Sequence, residues 1–127
     1  MMIHQFSRKV VLAGDAGVGK SSALYHAMSG EQTNRYVPTI GASLTPLTYD
    51  IEDVRITLNV WDTAGNPAYE CLPDGYYIEA NGVIIVADNP NRYLDRVVRM
   101  CPDARIIHVR PDELDDSSFT KMARLFL

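Results

Sequence analysis

The sequence is sparing with several residue types. There are 2 cysteines in 127 residues, Cys71 and Cys101, and neither sits in metal-ligand or redox spacing. Reduced intracellular thiols are the expected state. The 3 histidines, His4, His26 and His108, stand apart from one another and form no ligand cluster, so each reads as a structural or surface residue. There is no excess of positive charge: 12 basic against 16 acidic side chains give a net charge of −4. That balance argues against a nucleic-acid or membrane-surface role driven by global charge. No apolar run reaches membrane-spanning length, and "MMIHQFSRK" lacks the pattern of a signal peptide. The Met-Met start offers no myristoylation glycine, and "ARLFL" at the end offers no cysteine for a lipid. A soluble intracellular protein is expected. Repeats, low-complexity tracts and linkers are also missing, and the length suits a single domain over residues 1–127.

What is present is an alternation of strand and helix patterns. "SRKVVLAG" reads as a buried strand ending at Gly14, and "KSSALYHAMSG" as a helix stopped by Gly30. Residues 31–42 lack periodicity and read as a loop. "SLTPLTYDIE" and "VRITLNVW" alternate as strands and pair as a hairpin across Glu52-Asp53, with Pro46 requiring an edge position. Residues 62–74 form a second irregular stretch, followed by a short helix at "DGYYIEA". "NGVIIVAD" is a continuous apolar run, as in a strand buried on both faces. A short helix around "YLDRVVRM", a strand at "ARIIHV" and a helix over "DDSSFTKMARLFL" complete the chain. In the last, Asp or Ser caps the start, and Phe119, Met122, Ala123 and Phe126 form an i, i+3, i+4, i+7 stripe. The alternation predicts an α/β fold, a mainly parallel sheet covered by helices on both faces. Ligands of such sheets bind at the carboxyl ends of the strands. The loops after Gly14 and near Asp62 belong to that end.

"GDAGVGKS", Gly14 to Ser21, matches G-x-x-x-x-G-K-[ST] between a strand and a helix. Its glycines let the backbone curl so that N–H groups converge on phosphate oxygens, and the following helix contributes its positive end. The phosphate-binding set is Asp15, Ala16, Gly17, Val18, Gly19, Lys20, Ser21 and Ser22. Lys20 neutralises the outer phosphates and the Ser21 hydroxyl is a Mg²⁺ ligand. "DTAG" adds Asp62, which holds Mg²⁺ through water, and the Gly65 N–H for the γ-phosphate. "YVPT" adds Thr39, a second hydroxyl for Mg²⁺ and the γ-phosphate. A loop held by that phosphate is ordered before hydrolysis and released after it.

These three motifs in this order resemble the Ras superfamily of small GTPases. "LTPLTYD" after "PTIGAS", and "LPDGYYIEAN" after the second switch, are similar to the Ran branch, which acts in nuclear transport. The "DGYYI" phrase also suits plain helix packing, with Tyr76 and Tyr77 as core or half-buried aromatics. The resemblance covers about residues 8–107, with the last helix similar to the family's closing helix. It implies a P-loop G domain with strand order 2-3-1-4-5, only the second strand antiparallel, and the family's sixth strand missing. It implies GTP and GDP as ligands with Mg²⁺, and Gln32 and Tyr36 of the first switch beside the nucleotide. It implies effectors and regulators of the Ran type as partners, transport receptors and an exchange factor among them, in the nucleus or cytoplasm, with neither nucleic acid nor a membrane anchor.

The sequence departs from that pattern at informative places. The guanine-reading N-K-x-D motif is expected after "RIIHV", where this chain has "RPDELDD". Asp112 and Asp115 are both candidates to reach the base edge. The later S-A-K loop has no counterpart. Gln32 stands where an aromatic ring normally stacks on guanine. Losing the carboxylate contact and the stack together costs ~3–6 kcal/mol. The water-orienting glutamine falls at Asn66, one methylene shorter, and Pro67 stiffens the loop directly after it. Ala16 replaces a glycine near the γ-phosphate. The catalytic set is therefore Asn66, Lys20 and Thr39, and the metal set is Ser21, Thr39 and Asp62. The expected activity is slow GTP hydrolysis by a nucleotide switch. The alternatives are a non-catalytic Ran-like protein that titrates transport partners, and a P-loop NTPase with relaxed base preference.

Overall fold

The computed structural model describes residues 4–14, 37–39, 42–62 and 77–127, with the backbone alone for residues 37–39, 42, 43 and 92. The helix expected over residues 20–30, the irregular stretch after Asp62 and the part of "DGYYIEA" before Tyr77 lie outside these residues.

Strand β1 (His4–Gly14) carries "KVVLAG" through the centre of the molecule, and every residue from Val10 to Gly14 is buried. Alternation divides it between two cores: Val10 and Leu12 face one side, Val11 and Ala13 the other. Strand β5 (Gly82–Val86) is likewise buried throughout, as a parallel strand covered on both faces should be. With β2 (Val37–Thr39), β3 (Ala42–Ile51), β4 (Val54–Asp62) and β6 (Arg105–Val109), the sheet order is β2-β3-β4-β1-β5-β6. Strands β4, β1, β5 and β6 are mutually parallel, and β3 runs against both β2 and β4. This is the expected 2-3-1-4-5 order with one addition. The loop expected over residues 31–42 contains β2, which pairs with β3 from Ala42 to Leu44. Three residues are too few to show a period of two, and this strand exists through its partner.

The β3–β4 hairpin turns at Glu52 and Asp53, as expected. Their φ angles of +50° and +67° place both in the left-handed region required by a two-residue type I′ turn, although neither is the usual Gly or Asn. Counting from that turn fixes the pairing: Ile51 opposes Val54, and Pro46 opposes Asn59 at a position whose amide points away from β4. The described pairing of β3 with β2 runs from Ala42 to Leu44 and does not include Pro46. Across the same hairpin Arg55 grips Asp50 with two bonds of 2.8 and 3.1 Å, and the Thr48 and Thr57 hydroxyls lie 3.0 Å apart.

Helix α1 (Asn91–Met100) covers one face. Its Tyr93 and Val97 pack with Val11, Val83, Ile85, Tyr77 and Cys101. Tyr77 is 1% exposed, so the aromatic read from "DGYYI" is a core residue. Helix α2 (Asp116–Leu125) covers the other face with Phe119, Met122 and Ala123 against Val10, Leu12, Ile84 and Ile107. Burial of a Phe or Met side chain contributes ~1.5–3 kcal/mol. Phe126, the last member of the predicted stripe, is partly buried on the same core. Among the described residues β6 ends the sheet, and only Ile107 of its five residues is buried. Arg105 and His108 on this edge discourage unwanted strand pairing.

Candidate nucleotide site

Because β1, β4, β5 and β6 are parallel, their carboxyl ends share one edge of the sheet. Val11 pairs with Trp61, Gly14 with Val86, and Val86 with Val109. The chain leaves β1 at Gly14, whose φ is +153°. A Cβ there would lie 2.3 Å from the Val86 carbonyl oxygen, so only glycine lets β1 pass this close to β5 as the loop begins.

Asp62 ends β4. It continues the alternation of Ile56, Leu58 and Val60, which places it on the inward face, and its exposure is 0%. A wholly buried carboxylate at a strand end costs stability unless it is paired, hydrogen-bonded or bound to a cation. The Thr39 backbone lies at the same end: Thr39 pairs with Ala42, and Ser43 pairs with Asp62. Two strand spacings, ~10 Å, separate β2 from β4 there. The register thus gathers Gly14, Thr39 and Asp62 at one edge. The other predicted site residues, Asp15, Ala16, Gly17, Val18, Gly19, Lys20, Ser21, Ser22, Gln32, Tyr36, Gly65 and Asn66, lie outside the described residues. The proposed cation ligands Ser21, Thr39 and Asp62 are all hard oxygen donors, which suits Mg²⁺.

The segment after β6 engages two of its carboxylates in local structure. Pro111–Glu113 forms a 3₁₀ turn in which Glu113 folds back to accept the Arg110 N–H at 2.9 Å. Asp115 caps α2, accepting the Ser117 N–H at 3.0 Å and the Ser117 hydroxyl. These bonds hold its carboxyl below the ordinary range. Of the two base-edge candidates, Asp115 is therefore engaged in helix capping, as the "DDSS" pattern allows. Asp112 remains exposed beside Arg110, whose Nε is 3.8 Å from Asp112 Oδ1 and 3.7 Å from Asp88 Oδ1. No sequence motif singles out Asp88 or Arg110. They are exposed charges after different strands, and only the β5–β6 register joins them.

His108, Lys9 and Cys101 are tied into the fold itself. His108 donates from Nε2 to the Ala87 carbonyl at 2.6 Å, which ties β6 to the end of β5. Lys9 donates to the Ile78 carbonyl at 2.8 Å and lies over the Trp61 ring. Burial lowers its pKa, while Glu79 acts in the opposite direction. Cys101 is buried, and burial pushes its thiol pKa up, which makes it unreactive.

No helix among the described residues is long and apolar enough to cross a membrane. A family model described as Ras family matches residues 9–104, from within β1 to just before β6. That span is well over half of the 127 residues and contains both the phosphate-loop sequence and the Asp62 motif. The described sheet is mainly parallel with β3 reversed, and helices lie on both of its faces; the chain belongs to the Ras family of GTP-binding small GTPases.

Proposed function

We propose that this chain is a Ran-like nucleotide switch, a single domain over residues 1–127, that binds GTP and GDP with Mg²⁺ and hydrolyses GTP slowly. One observation carries most weight. The sheet register sets Gly14, where the phosphate-loop sequence opens, at the same edge as the buried carboxylate of Asp62. In this reading the backbone of residues 15–22 and the Lys20 ammonium hold the phosphates, and the Gly65 N–H meets the γ-phosphate. Ser21 and Thr39 supply hydroxyls to the cation, and Asp62 holds it through water. Bound Mg²⁺ neutralises charge that develops on the phosphate oxygens. The Asn66 amide orients the attacking water, and its short reach limits the rate. Gln32 and Tyr36 lie beside the nucleotide. Transport receptors and an exchange factor of the Ran type are the proposed partners, in the nucleus or cytoplasm.

The test is Lys20→Ala. Calorimetry with Mg²⁺ and GTP should show saturable binding to the original chain and loss of at least about a hundredfold in affinity in the variant, because the main cation facing the outer phosphates is gone. Unchanged affinity would exclude the phosphate loop as the site. Absence of nucleotide binding in the original chain, with retained binding to a transport receptor, would instead mark a non-catalytic titrant.

A further inference from the structure

The end of β6 carries an inference about which bases the site accepts, and it rests on the nucleotide binding proposed for this chain. Gly14, Val86 and Val109 are register partners in a row across β1, β5 and β6. Arg110, the residue after Val109, therefore stands two strand spacings, ~10 Å, from the opening of the phosphate loop. The buried Asp62 and the Thr39 backbone lie on the opposite side of β1. A ligand with its outer phosphates toward Asp62 extends its nucleoside toward β5 and β6. On that side Glu113 and Asp115 are turned into a 3₁₀ turn and a helix cap. Facing outward are Asp88, Arg110 and Asp112, with side-chain exposures of 82%, 61% and 75%.

The Arg110 guanidinium is held between the two aspartates by charge. Both contacts are made through Nε, and at 3.7 and 3.8 Å both exceed hydrogen-bonding distance. They orient the cation without using its N–H donors, and they leave the planar fork of terminal nitrogens for a flat partner. A guanidinium only donates. The purine edge that only accepts is O6 with N7, which guanine, hypoxanthine and xanthine share; adenine has an amine donor in place of O6. We infer that Arg110, steadied by Asp88 and Asp112, reads the O6/N7 edge, so that the site takes 6-oxopurine nucleoside triphosphates as a class. A carboxylate reader grips the opposite edge, N1–H and the 2-amino group, and rejects hypoxanthine.

The experiment compares GTP, ITP, 7-deaza-GTP and ATP on the full chain with Mg²⁺, by calorimetry or competition. ITP should bind within about threefold of GTP, while 7-deaza-GTP and ATP should bind roughly ten- to a hundredfold more weakly. Arg110→Ala should reduce GTP to the level of ATP while triphosphate binding and the melting temperature are retained. Arg110→Lys keeps the charge without the fork and should leave most of the discrimination lost. The inference is overturned if ITP is much weaker than GTP while 7-deaza-GTP equals it, which would assign the base edge to a carboxylate such as Asp112. It is equally overturned if ATP equals GTP, or if Arg110→Ala leaves the base ratios unchanged. Failure of every triphosphate to bind would overturn the nucleotide reading itself, and this one with it.

Discussion

Asn66 and Gly14 make opposite kinds of demand on single residues. Asn66 concerns reach. If its amide orients water, Asn66→Gln should raise single-turnover hydrolysis and Asn66→Leu should lower it, with a total span on the order of a hundredfold. Rates must be taken at saturating nucleotide so that weak base binding is not read as slow chemistry. Equal rates in all three forms would remove Asn66 from the catalytic set. Gly14 concerns space. Gly14→Ala would set a methyl 2.3 Å from the Val86 carbonyl, and backbone cannot move aside as a side-chain end can. Chemical denaturation should register a loss of about 3 kcal/mol. Gly82→Ala is the control: its new methyl meets the flexible end of Met122, so the loss should be smaller. A Gly14→Ala variant as stable as the original would contradict the close approach of β1 to β5.

At the scale of elements, two exposed carboxylates tie local structure to pH. Asp50 is held below its ordinary value of 3.8 first by its hydrogen bond to Arg55, and Asp115 chiefly by its bond to Ser117. A carboxylate with a depressed folded pKa adds stability that is complete above the unfolded value and is lost as pH falls through the folded one. The β3–β4 hairpin and the start of α2 should therefore weaken below about pH 4. Asp115→Asn keeps a capping oxygen but removes the titration, so its denaturation midpoint should fall less steeply with acid than that of the original. An unchanged acid slope would show that the cap does not contribute. The elements themselves were legible where the pattern is long. The apolar run of β5, the stripe of α2 and the alternation of β4 each repeat their period several times. Strand β2 has three residues and depends on β3, and the 3₁₀ turn at Pro111–Glu113 is equally short, so neither leaves a periodic signal.

For the whole molecule, motif and topology carry different parts of the proposed site. Gly14 and Asp62 were legible because phosphate and cation chemistry fixes residue types at fixed spacing, and the fold then sets them at one edge. Arg110 and Asp88 were not, because exposed charges have no period and only the pairing of β5 with β6 joins them. Asp115 was readable from the sequence both as a base-edge candidate and as part of a helix cap, and the structure engages it at the start of α2. The Ras-family match and the buried Asp62 both point to nucleotide binding. The most direct measurement is HPLC with mass spectrometry of whatever nucleotide is released when the purified protein is denatured. Denaturation should release GDP or GTP, close to one per chain, lost together with bound Mg²⁺ on treatment with EDTA. Protein that releases no nucleotide, and takes up none when incubated with GTP and Mg²⁺, would contradict nucleotide binding.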